Sequence, residues 1–573
     1  MAKYLKNICE GVKKLMGCLP ENYLPPRELW PQKIYTLPEF QEYPDLLNAT
    51  EELIDKNVLE KGMGNHVAIF YEDQKITYRE LMYAVNRLGN ALKDLGLGEC
   101  DRVIIRSPNV PEALIANFAI IKIGGICVPT SPLFSRVELA HVANNAEAKA
   151  IFCHVGLMGE LEAAKDNFKT VEHIIVIGGN PAEVKAKGYI PYGELASHPN
   201  KHLEPVRRER LAVALLLYTS GTTGLPKGTV HFMEDLLIIA DSFGKYCWRV
   251  RPDDVIGGPA PMAFAAGYGV TAVIPFRFGA AVFLLPKFTP EDMFEAIQKY
   301  NATIISVLPT AYRKMLQVPD AEKKYDLSSL RICTGGGEAL GTKAFFAWRE
   351  RFGMDIYEGL GSSEMGFVFV SNTVNMRAKP GSAGQAVPGY EIKVVDEDGR
   401  ELPPGEIGRF IARGPTCTVY WRPYEDNGAL LKKQKEVNFN GWNQVGDYVY
   451  LDEEGYLFFV SREDDLIKSS GYRIGPEEIE DALAKHPAVR DVGVIGVPDE
   501  VRGQNVKAYI ALNEGYTPGP ELEKELIEFC KDKISVYKLP REFAFVSEIP
   551  RTPTGKILRR ILREWEKKAR GEA

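Results

Sequence analysis

The chain has 573 residues, of which 45% are hydrophobic and 26% are charged. These values are typical of globular proteins, and they exclude a largely disordered chain and a collagen-like repeat. The 70 basic and 77 acidic residues give a net charge of −7, which does not favour a nucleic-acid-binding surface. The longest apolar stretch, 113–128, contains Lys122 and is too short to span a bilayer as a helix, so no integral membrane association is expected.

The first twenty residues lack the apolar centre of a secretory signal. They are interpreted as a short amphipathic helix docked on its own protein, with surface membrane contact as the alternative. The nine cysteines are odd in number and include no CxxC pair. A disulfide framework or a zinc site is therefore not expected, a cytoplasmic location is favoured, and most cysteines are expected in the core.

Short apolar runs separated by helical patterns continue to about residue 380 and predict βαβ units with largely parallel sheets. The predicted strands are 66–71, 102–105, near Cys127, 174–177, 281–285, 303–307 and 355–358, and the predicted helices are 77–95 and one that begins at Pro111. The fold class is therefore α/β. A large N-terminal domain, 1–463, has sheets layered with helices and a β-rich part at about 381–463. A smaller α+β domain, 464–573, follows it.

The sharpest motif is the string YTSGTTGLPKG at 218–228, which follows the apolar run 211–217. Its glycines let the backbone approach a ligand closely, and its hydroxyl and N–H groups can surround phosphate oxygens, with a positive charge from Lys227. The GxxxxGK[ST] spacing of a Walker A loop is absent. The predicted phosphate-binding residues are Thr219, Ser220, Gly221, Thr222, Thr223, Gly224 and Lys227.

This string resembles the phosphate loop of the adenylate-forming superfamily, which includes acyl- and aryl-CoA synthetases, luciferases and peptide-synthetase adenylation domains. Later segments match its other motifs in order, so the resemblance covers nearly the whole chain. It is strongest to benzoate-CoA and 2-aminobenzoate-CoA ligases, and next to medium-chain acyl-CoA synthetases. The resemblance implies ATP, Mg²⁺ and coenzyme A as cofactor or co-substrates, and a C-terminal domain that is mobile.

The second motif, EGLGSSEM at 358–365, resembles the aryl-CoA ligase string DGIGSTEM. In the family the hydroxyl residue before the Glu contacts the α-phosphate and the Glu helps to hold Mg²⁺, which implies these roles for Ser363 and Glu364. One carboxylate plus nucleotide phosphates suits Mg²⁺. The Gly-rich segment 334–340 resembles the strand end that the adenine crosses. These two segments supply the implied ATP-binding residues Gly336, Gly337, Glu338, Glu358, Gly359, Leu360, Gly361 and Ser363.

A third group of residues lies between the two domains. Asp447 resembles the family Asp that accepts hydrogen bonds from both ribose hydroxyls, and Arg462 resembles the Arg that reaches the ribose. Asp464 is at the family hinge. The following turn lines the pantetheine tunnel in relatives, and its implied CoA-binding residues are Gly471, Tyr472 and Arg473.

The fourth motif, PRTPTGKI at 550–557, implies that Lys556 is the catalytic lysine. Formation of an acyl-adenylate brings a carboxylate and a phosphate together, and a cation that touches both stabilises the transition state most. A flexible ammonium on a loop suits this role.

The segment 261–269 lines the acyl pocket in relatives, and Ala266 aligns where aryl-CoA ligases commonly carry an aromatic residue. A roomy pocket for an apolar monocarboxylate is therefore expected, which Tyr268 could partly refill. The pocket residues are expected to be Met262, Phe264, Ala266, Tyr268 and Thr310.

The motifs together predict an AMP- and pyrophosphate-forming carboxylic acid–CoA ligase for an aromatic or alicyclic monocarboxylate. A medium-chain fatty acid–CoA ligase, an enzyme that loads a carrier protein and a non-catalytic nucleotide-binding protein are the alternatives. A homodimer is compatible with the sequence. His231 is expected either near the nucleotide or packed at a helix start.

Overall fold

The computed structural model describes residues 18–219, 225–338, 340–374, 376, 378–469, 472–499, 502–531, 533–551 and 555–571. The expected N-terminal helix, the centre of the phosphate loop at 220–224 and Gly471 lie outside the described residues. Among the described residues, no helix combines the length and the apolar character that crossing a bilayer requires.

The first large sheet has seven strands and carries the phosphate-loop hairpin at one edge. In spatial order its strands are Lys227–Phe232, Val213–Thr219, Ile126–Pro129, Arg102–Arg106, Ala148–His154, His173–Ile177 and Ile190–Pro191. The hairpin pair is antiparallel, and the other neighbours are parallel.

The second large sheet has nine strands, and its central six are parallel. In spatial order its strands are Gln385–Ala386, Val368–Ser371, Ile356–Gly361, Ile332–Gly336, Ile304–Ser306, Val255–Gly257, Ala281–Phe283, Val67–Tyr71 and Gln74–Thr77. Strand Ile332–Gly336 of this sheet ends within the Gly-rich segment. Ligands of open parallel sheets bind beyond the carboxyl ends of the strands, so a ligand is expected at this edge of the sheet.

The β-rich part is a five-stranded antiparallel sheet, as the sequence predicts. Its strands are Glu391–Val395, Gly408–Arg413, Asn438–Phe439, Trp442–Leu451 and Leu457–Arg462. The C-terminal part has the hairpin Ile467–Ser469 and Tyr472–Ile474, and a sheet of Val489–Asp499, Gly503–Leu512 and Glu542–Phe545. A small pair, Leu46–Leu47 with Arg208–Glu209, joins the N-terminal arm to the large domain.

Helices cover the sheets, and several begin with clear local signals. Thr77 and Ser135 each form a capping box with the glutamate three residues later. The longer helices are Tyr78–Asp94, Pro111–Lys122, Arg136–Ala146, Ala240–Trp248, Pro290–Tyr300, Thr342–Phe352, Ala429–Val437, Pro476–Leu483, Pro520–Lys531 and Arg559–Arg570. Shorter ones are Pro38–Gln41, Glu51–Asp55, Lys56–Leu59, Met158–Ala164, Pro181–Ala186, Tyr192–Ala196, Asp235–Ile239, Ala265–Tyr268, Gly269–Val273, Ile274–Phe278, Pro309–Met315 and Ala321–Lys324.

The cysteines match the sequence expectation except at one place. Cys18 and Cys100 form a disulfide that ties the N-terminal arm to the first sheet. This disulfide was not expected from the sequence, since a spacing of 82 residues gives no local signal. The six described free cysteines are all buried, as expected: Cys127, Cys153, Cys247, Cys333, Cys417 and Cys530.

Candidate active site

The phosphate-loop segment lies between two antiparallel strands, Val213–Thr219 and Lys227–Phe232. Thr219 and Lys227 are cross-strand partners at its base. The hydroxyl of Tyr218 donates to Asn145 Oδ1 at 2.7 Å, and a ring nitrogen of His141 lies 3.0 Å from the carbonyl oxygen of Pro226. The helix that carries Asn145 and His141 therefore holds both ends of the loop.

Asp447 and Arg462 lie opposite each other on adjacent antiparallel strands, with Asp447 Oδ1 3.1 Å from Arg462 Nε. Asp447 is buried, and no described donor has hydrogen-bond geometry to its Oδ1. Burial raises the pKa of Asp447, and the Arg462 cation opposes that shift. A buried carboxylate oxygen to which no described donor is aligned is suited to accept ligand hydroxyl groups.

Ser363 and Glu364 lie in the turn that follows strand Ile356–Gly361. The backbone of this turn contacts His231, whose ring is buried on strand Lys227–Phe232. Burial lowers the pKa of His231 to about 3, so the ring is neutral at physiological pH. His231 therefore packs behind the turn that carries Ser363 and Glu364, and it lies within a strand and not at a helix start.

The Gly-rich strand end lies directly beside the neighbouring strand. Gly336 and Gly359 are parallel cross-strand partners, and a Cβ on Gly336 would lie 2.5 Å from the carbonyl oxygen of Gly359, so only glycine fits. Glu358 is buried beneath this strand end and accepts a hydrogen bond from the Leu340 N–H at 2.9 Å. Burial raises the pKa of Glu358 to about 7. Glu358 thus fixes the shape of the Gly-rich segment from below.

Glu338 faces the start of the helix Pro309–Met315. Its Oε1 accepts hydrogen bonds from the backbone N–H of Thr310, at 2.8 Å, and from the Thr310 hydroxyl, and it lies 3.2 Å from Arg313 Nη2. The sequence places Glu338 in the ATP site and Thr310 in the acyl pocket, and the structure joins them.

Lys556 reaches this region from the C-terminal domain. A Cβ on the preceding Gly555 would collide with the Thr310 hydroxyl, so the lysine loop lies against the large domain. The Lys556 side chain retains contact with solvent, yet partial withdrawal from water and the Arg462 cation lower its pKa. The carboxylates that oppose this lowering are Asp447, Glu338 and Glu364. Residues from four separate motifs therefore lie within electrostatic range of Lys556.

The acyl segment, residues 261–269, is held by Asn109, a residue that no sequence motif indicated. The Asn109 side-chain amide donates to the carbonyl of Ala260 at 2.9 Å, and its oxygen accepts from the Met262 N–H at 3.0 Å. Within the segment, Met262 is buried, Phe264 is half-buried and Ala266 is exposed. Tyr268 is only 1% exposed, and its hydroxyl donates to Asn117 at 2.9 Å, so it belongs to the core behind the segment.

The proposed hinge residue Asp464 and the proposed CoA-binding residues Tyr472 and Arg473 follow the five-stranded sheet in the chain. Tyr472 is exposed and stacks on Tyr537 with ring centroids 4.2 Å apart. Arg473 lies on the same short strand, and its side chain is outside the described part of the structure. The carbonyl of Asp464 accepts a hydrogen bond from Arg563 at 3.1 Å.

The profile of the AMP-binding enzyme family matches residues 56–421, and that of its C-terminal domain matches residues 478–556. The chain belongs to the AMP-binding enzyme family. The resemblance seen in the motifs and the predicted fold class are therefore confirmed.

Several members of this family are similar to the chain over most of their length. Acetyl-coenzyme A synthetase of Bacillus subtilis (strain 168) is 34% identical over 91% of this chain and 91% of its own. Benzoate–CoA ligase of Thauera aromatica is 33% identical over 91% of this chain and 96% of its own. The solved structure of anthranilate CoA ligase AuaEII in complex with anthranoyl-AMP superposes with a TM-score of 0.85 at 32% identity, over 93% of this chain and 99% of that one.

Proposed function

We propose that this AMP-binding enzyme is a carboxylic acid–CoA ligase that acts on an aromatic or alicyclic monocarboxylate through an acyl-adenylate. The observation that carries the proposal is the position of Lys556 within the electrostatic reach of Asp447, Glu338 and Glu364.

Each side chain has a distinct role in the proposed reaction. Asp447 and Arg462 bind the ribose, and the phosphate-loop segment binds the phosphates. Lys556 stabilises the charge that builds up as the acid carboxylate attacks the α-phosphate and pyrophosphate leaves. CoA thiol then attacks the acyl carbonyl, AMP leaves, and the acyl-CoA thioester is formed.

The carboxylate of Glu364 is suited to bind one Mg²⁺ ion together with nucleotide phosphates. No cluster of three or more His, Cys, Asp or Glu side chains suited to a metal occurs among the described residues. Glu364 with nucleotide phosphate oxygens is the type of mixed ligand set in which Mg²⁺ is commonly held. When bound, the ion neutralises phosphate charge, and Glu364 is the residue that we propose to hold it.

The ring-acid preference is supported by relatives named for benzoate and anthranilate. Replacement of an aromatic by alanine leaves room for a ring or a short chain, and no basic side chain in 261–269 is available to pair with a second carboxylate. An apolar monocarboxylate therefore suits the segment best.

The test is pyrophosphate release with ATP and Mg²⁺ across benzoate, 2-aminobenzoate, phenylacetate, cyclohexanecarboxylate, hexanoate, octanoate and acetate, with and without CoA. We expect turnover with ring acids and AMP release only with CoA. Lys556→Gln should reduce pyrophosphate release by about 10²–10³-fold, as expected for loss of one transition-state charge contact. The matched control, Lys568→Gln on an exposed face of the same domain, should retain full activity.

Other outcomes would replace this proposal with a specific alternative. Turnover that rises with chain length would indicate a medium-chain ligase. Pyrophosphate release that stalls after one turnover even with CoA would indicate an enzyme that loads a carrier protein. ATP binding without pyrophosphate release for any acid would indicate a non-catalytic nucleotide-binding protein.

A further inference from the structure

A basic surface depression lies apart from the candidate active site. Its volume is about 420 Å³, which is within the range of small-molecule sites. The residues that line it are Lys245, Arg249, Val250, Arg251, Arg331 and Val374. Four of the six side chains are cationic, in a chain whose net charge is −7. Such a local excess of positive charge in an acidic protein calls for a physical reason.

The depression is at the edge of the nine-stranded sheet opposite to the catalytic cleft. Arg331 directly precedes strand Ile332–Gly336, and Arg251 precedes the parallel strand Val255–Gly257. The far ends of these strands lead to the Gly-rich segment and to the acyl segment. A ligand in the depression therefore does not occupy the ATP or acyl sites.

Two of the four cations are committed to internal contacts. Arg331 donates to both oxygens of Asp254, at 2.8 and 2.5 Å, and to the carbonyl of Arg249 at 3.2 Å. Lys245 forms an ion pair with Glu39. These contacts hold the walls of the depression in place, and they neutralise about half of its positive charge.

The other two cations, Arg249 and Arg251, are exposed and form no ion pair with any residue in the described ranges. Their backbone is nevertheless fixed. Arg249 ends the helix Ala240–Trp248 in the left-handed region with φ 49°, and its carbonyl accepts from Arg331. The Arg251 N–H donates to Asp254 Oδ2 at 2.7 Å. Two guanidinium groups thus extend from a turn whose backbone is held by hydrogen bonds.

We propose that this depression binds a phosphate monoester of a small organic molecule. Guanidinium groups match phosphate oxygens in bidentate geometry. The two uncommitted cations balance the charge of a phosphate monoester, which is about −1.5 to −2 at neutral pH. Val250 and Val374 supply an apolar wall for the organic part of such a ligand. Inorganic phosphate shares the anionic chemistry, and the experiment separates it from the ester.

The test uses the full chain with its nucleotide site saturated by a non-hydrolysable ATP analogue. Phenyl phosphate, inorganic phosphate and sulfate are titrated calorimetrically at constant ionic strength. The variant is Arg249→Gln with Arg251→Gln, and the matched control is Lys432→Gln with Lys433→Gln, which makes the same charge change on the exposed face of another helix.

We expect phenyl phosphate to bind the wild type and the control alike, and to bind the arginine variant at least about tenfold more weakly, as loss of charged hydrogen bonds predicts. Stronger binding of phenyl phosphate than of inorganic phosphate confirms the ester. Equal binding of both, still dependent on the arginines, assigns the site to free phosphate and overturns the ester. Equal affinity of wild type and arginine variant, or equal binding of sulfate, overturns the proposal.

Discussion

Asp481 of the C-terminal domain lies at the start of a helix in the large domain, where its carboxylate accepts from the Thr342 hydroxyl at 3.4 Å. That helix, Thr342–Phe352, follows Gly341 and has no side-chain cap of its own. A negative charge near a helix N-terminus is stabilising. The contact therefore favours the arrangement of the two domains in which Lys556 faces the cleft.

The substitution Asp481→Asn should slow formation of the acyl-adenylate by about two- to fivefold, because a charge at a helix N-terminus contributes roughly 0.3–1 kcal/mol. Pyrophosphate exchange measures this step. Lys485→Gln is the matched control, since Lys485 pairs with Asp481 at 2.7 Å without contacting that helix through any described hydrogen bond. Equal slowing by both changes would show that the pair acts only within its own helix.

The substitution Asp447→Asn should raise KM for ATP by about ten- to a hundredfold, because each hydrogen bond to a charged group contributes roughly 1.5–3 kcal/mol. The physical reason is the buried carboxylate of Asp447, whose Oδ1 is ion-paired with Arg462 but accepts no hydrogen bond from any described donor. Steady-state kinetics with ATP and 2′-deoxy-ATP checks the role. Wild type should discriminate against the deoxy nucleotide and the variant should not, and unchanged discrimination would contradict ribose binding by this residue.

The pH dependence of the first half-reaction should report the Lys556 ammonium. The pKa of Lys556 is lowered, so the protonated form that the reaction needs is lost as pH rises through that lowered value. Glu338 opposes the lowering. Glu338→Gln should therefore move the alkaline limb of the kcat/KM profile to lower pH, while Glu350→Gln, an exposed control, should leave it in place. An alkaline limb that does not move would show that Glu338 does not influence the pKa of Lys556.

The buried carboxyl of Glu358 should make stability fall as pH rises. Its pKa is raised from 4.5 to about 7, so the stability that its protonated form contributes is fully present below 4.5 and lost as pH rises through about 7. Glu358→Gln keeps an acceptor for the Leu340 N–H and should be more stable than wild type at pH 8 by up to about 3 kcal/mol. Urea midpoints at pH 5 and pH 8 measure this, and a difference that is the same at both would contradict it.

The sequence predicted most of the fold because its strands and helices follow local rules. The helix predicted at 77–95 spans Tyr78–Asp94, since Thr77 and Glu80 form its capping box. Central parallel strands were found as short apolar runs. The disulfide between Cys18 and Cys100 was missed, because nothing local links residues 82 positions apart.

The same limit applies to the candidate site. Motifs supplied the candidate site residues, because these lie in contiguous strings. Asn109, Arg313 and Asp481 were missed, since each acts by a contact with a segment distant in sequence. Their side chains are ordinary polar residues until the fold places them beside Met262, Glu338 and Thr342.

The N-terminal arm precedes the region that the family profile matches, yet it contributes buried ion pairs to the large domain. The family profile starts at residue 56, yet Lys33 forms ion pairs with Glu234 and Asp235 at 2.7 and 2.8 Å, and the side chains of both acids are only 1% exposed. Loss of one partner of a buried ion pair costs about 3–5 kcal/mol. A protein shortened to the region of family similarity would keep the motifs up to residue 421, but Asp235 would lose its ion-pair partner Lys33 and Glu234 would keep only its ion pair with Arg210. The region of similarity to the family therefore contains motifs proposed to take part in the reaction. The pairing of buried charges in that region also needs Lys33, which lies outside it.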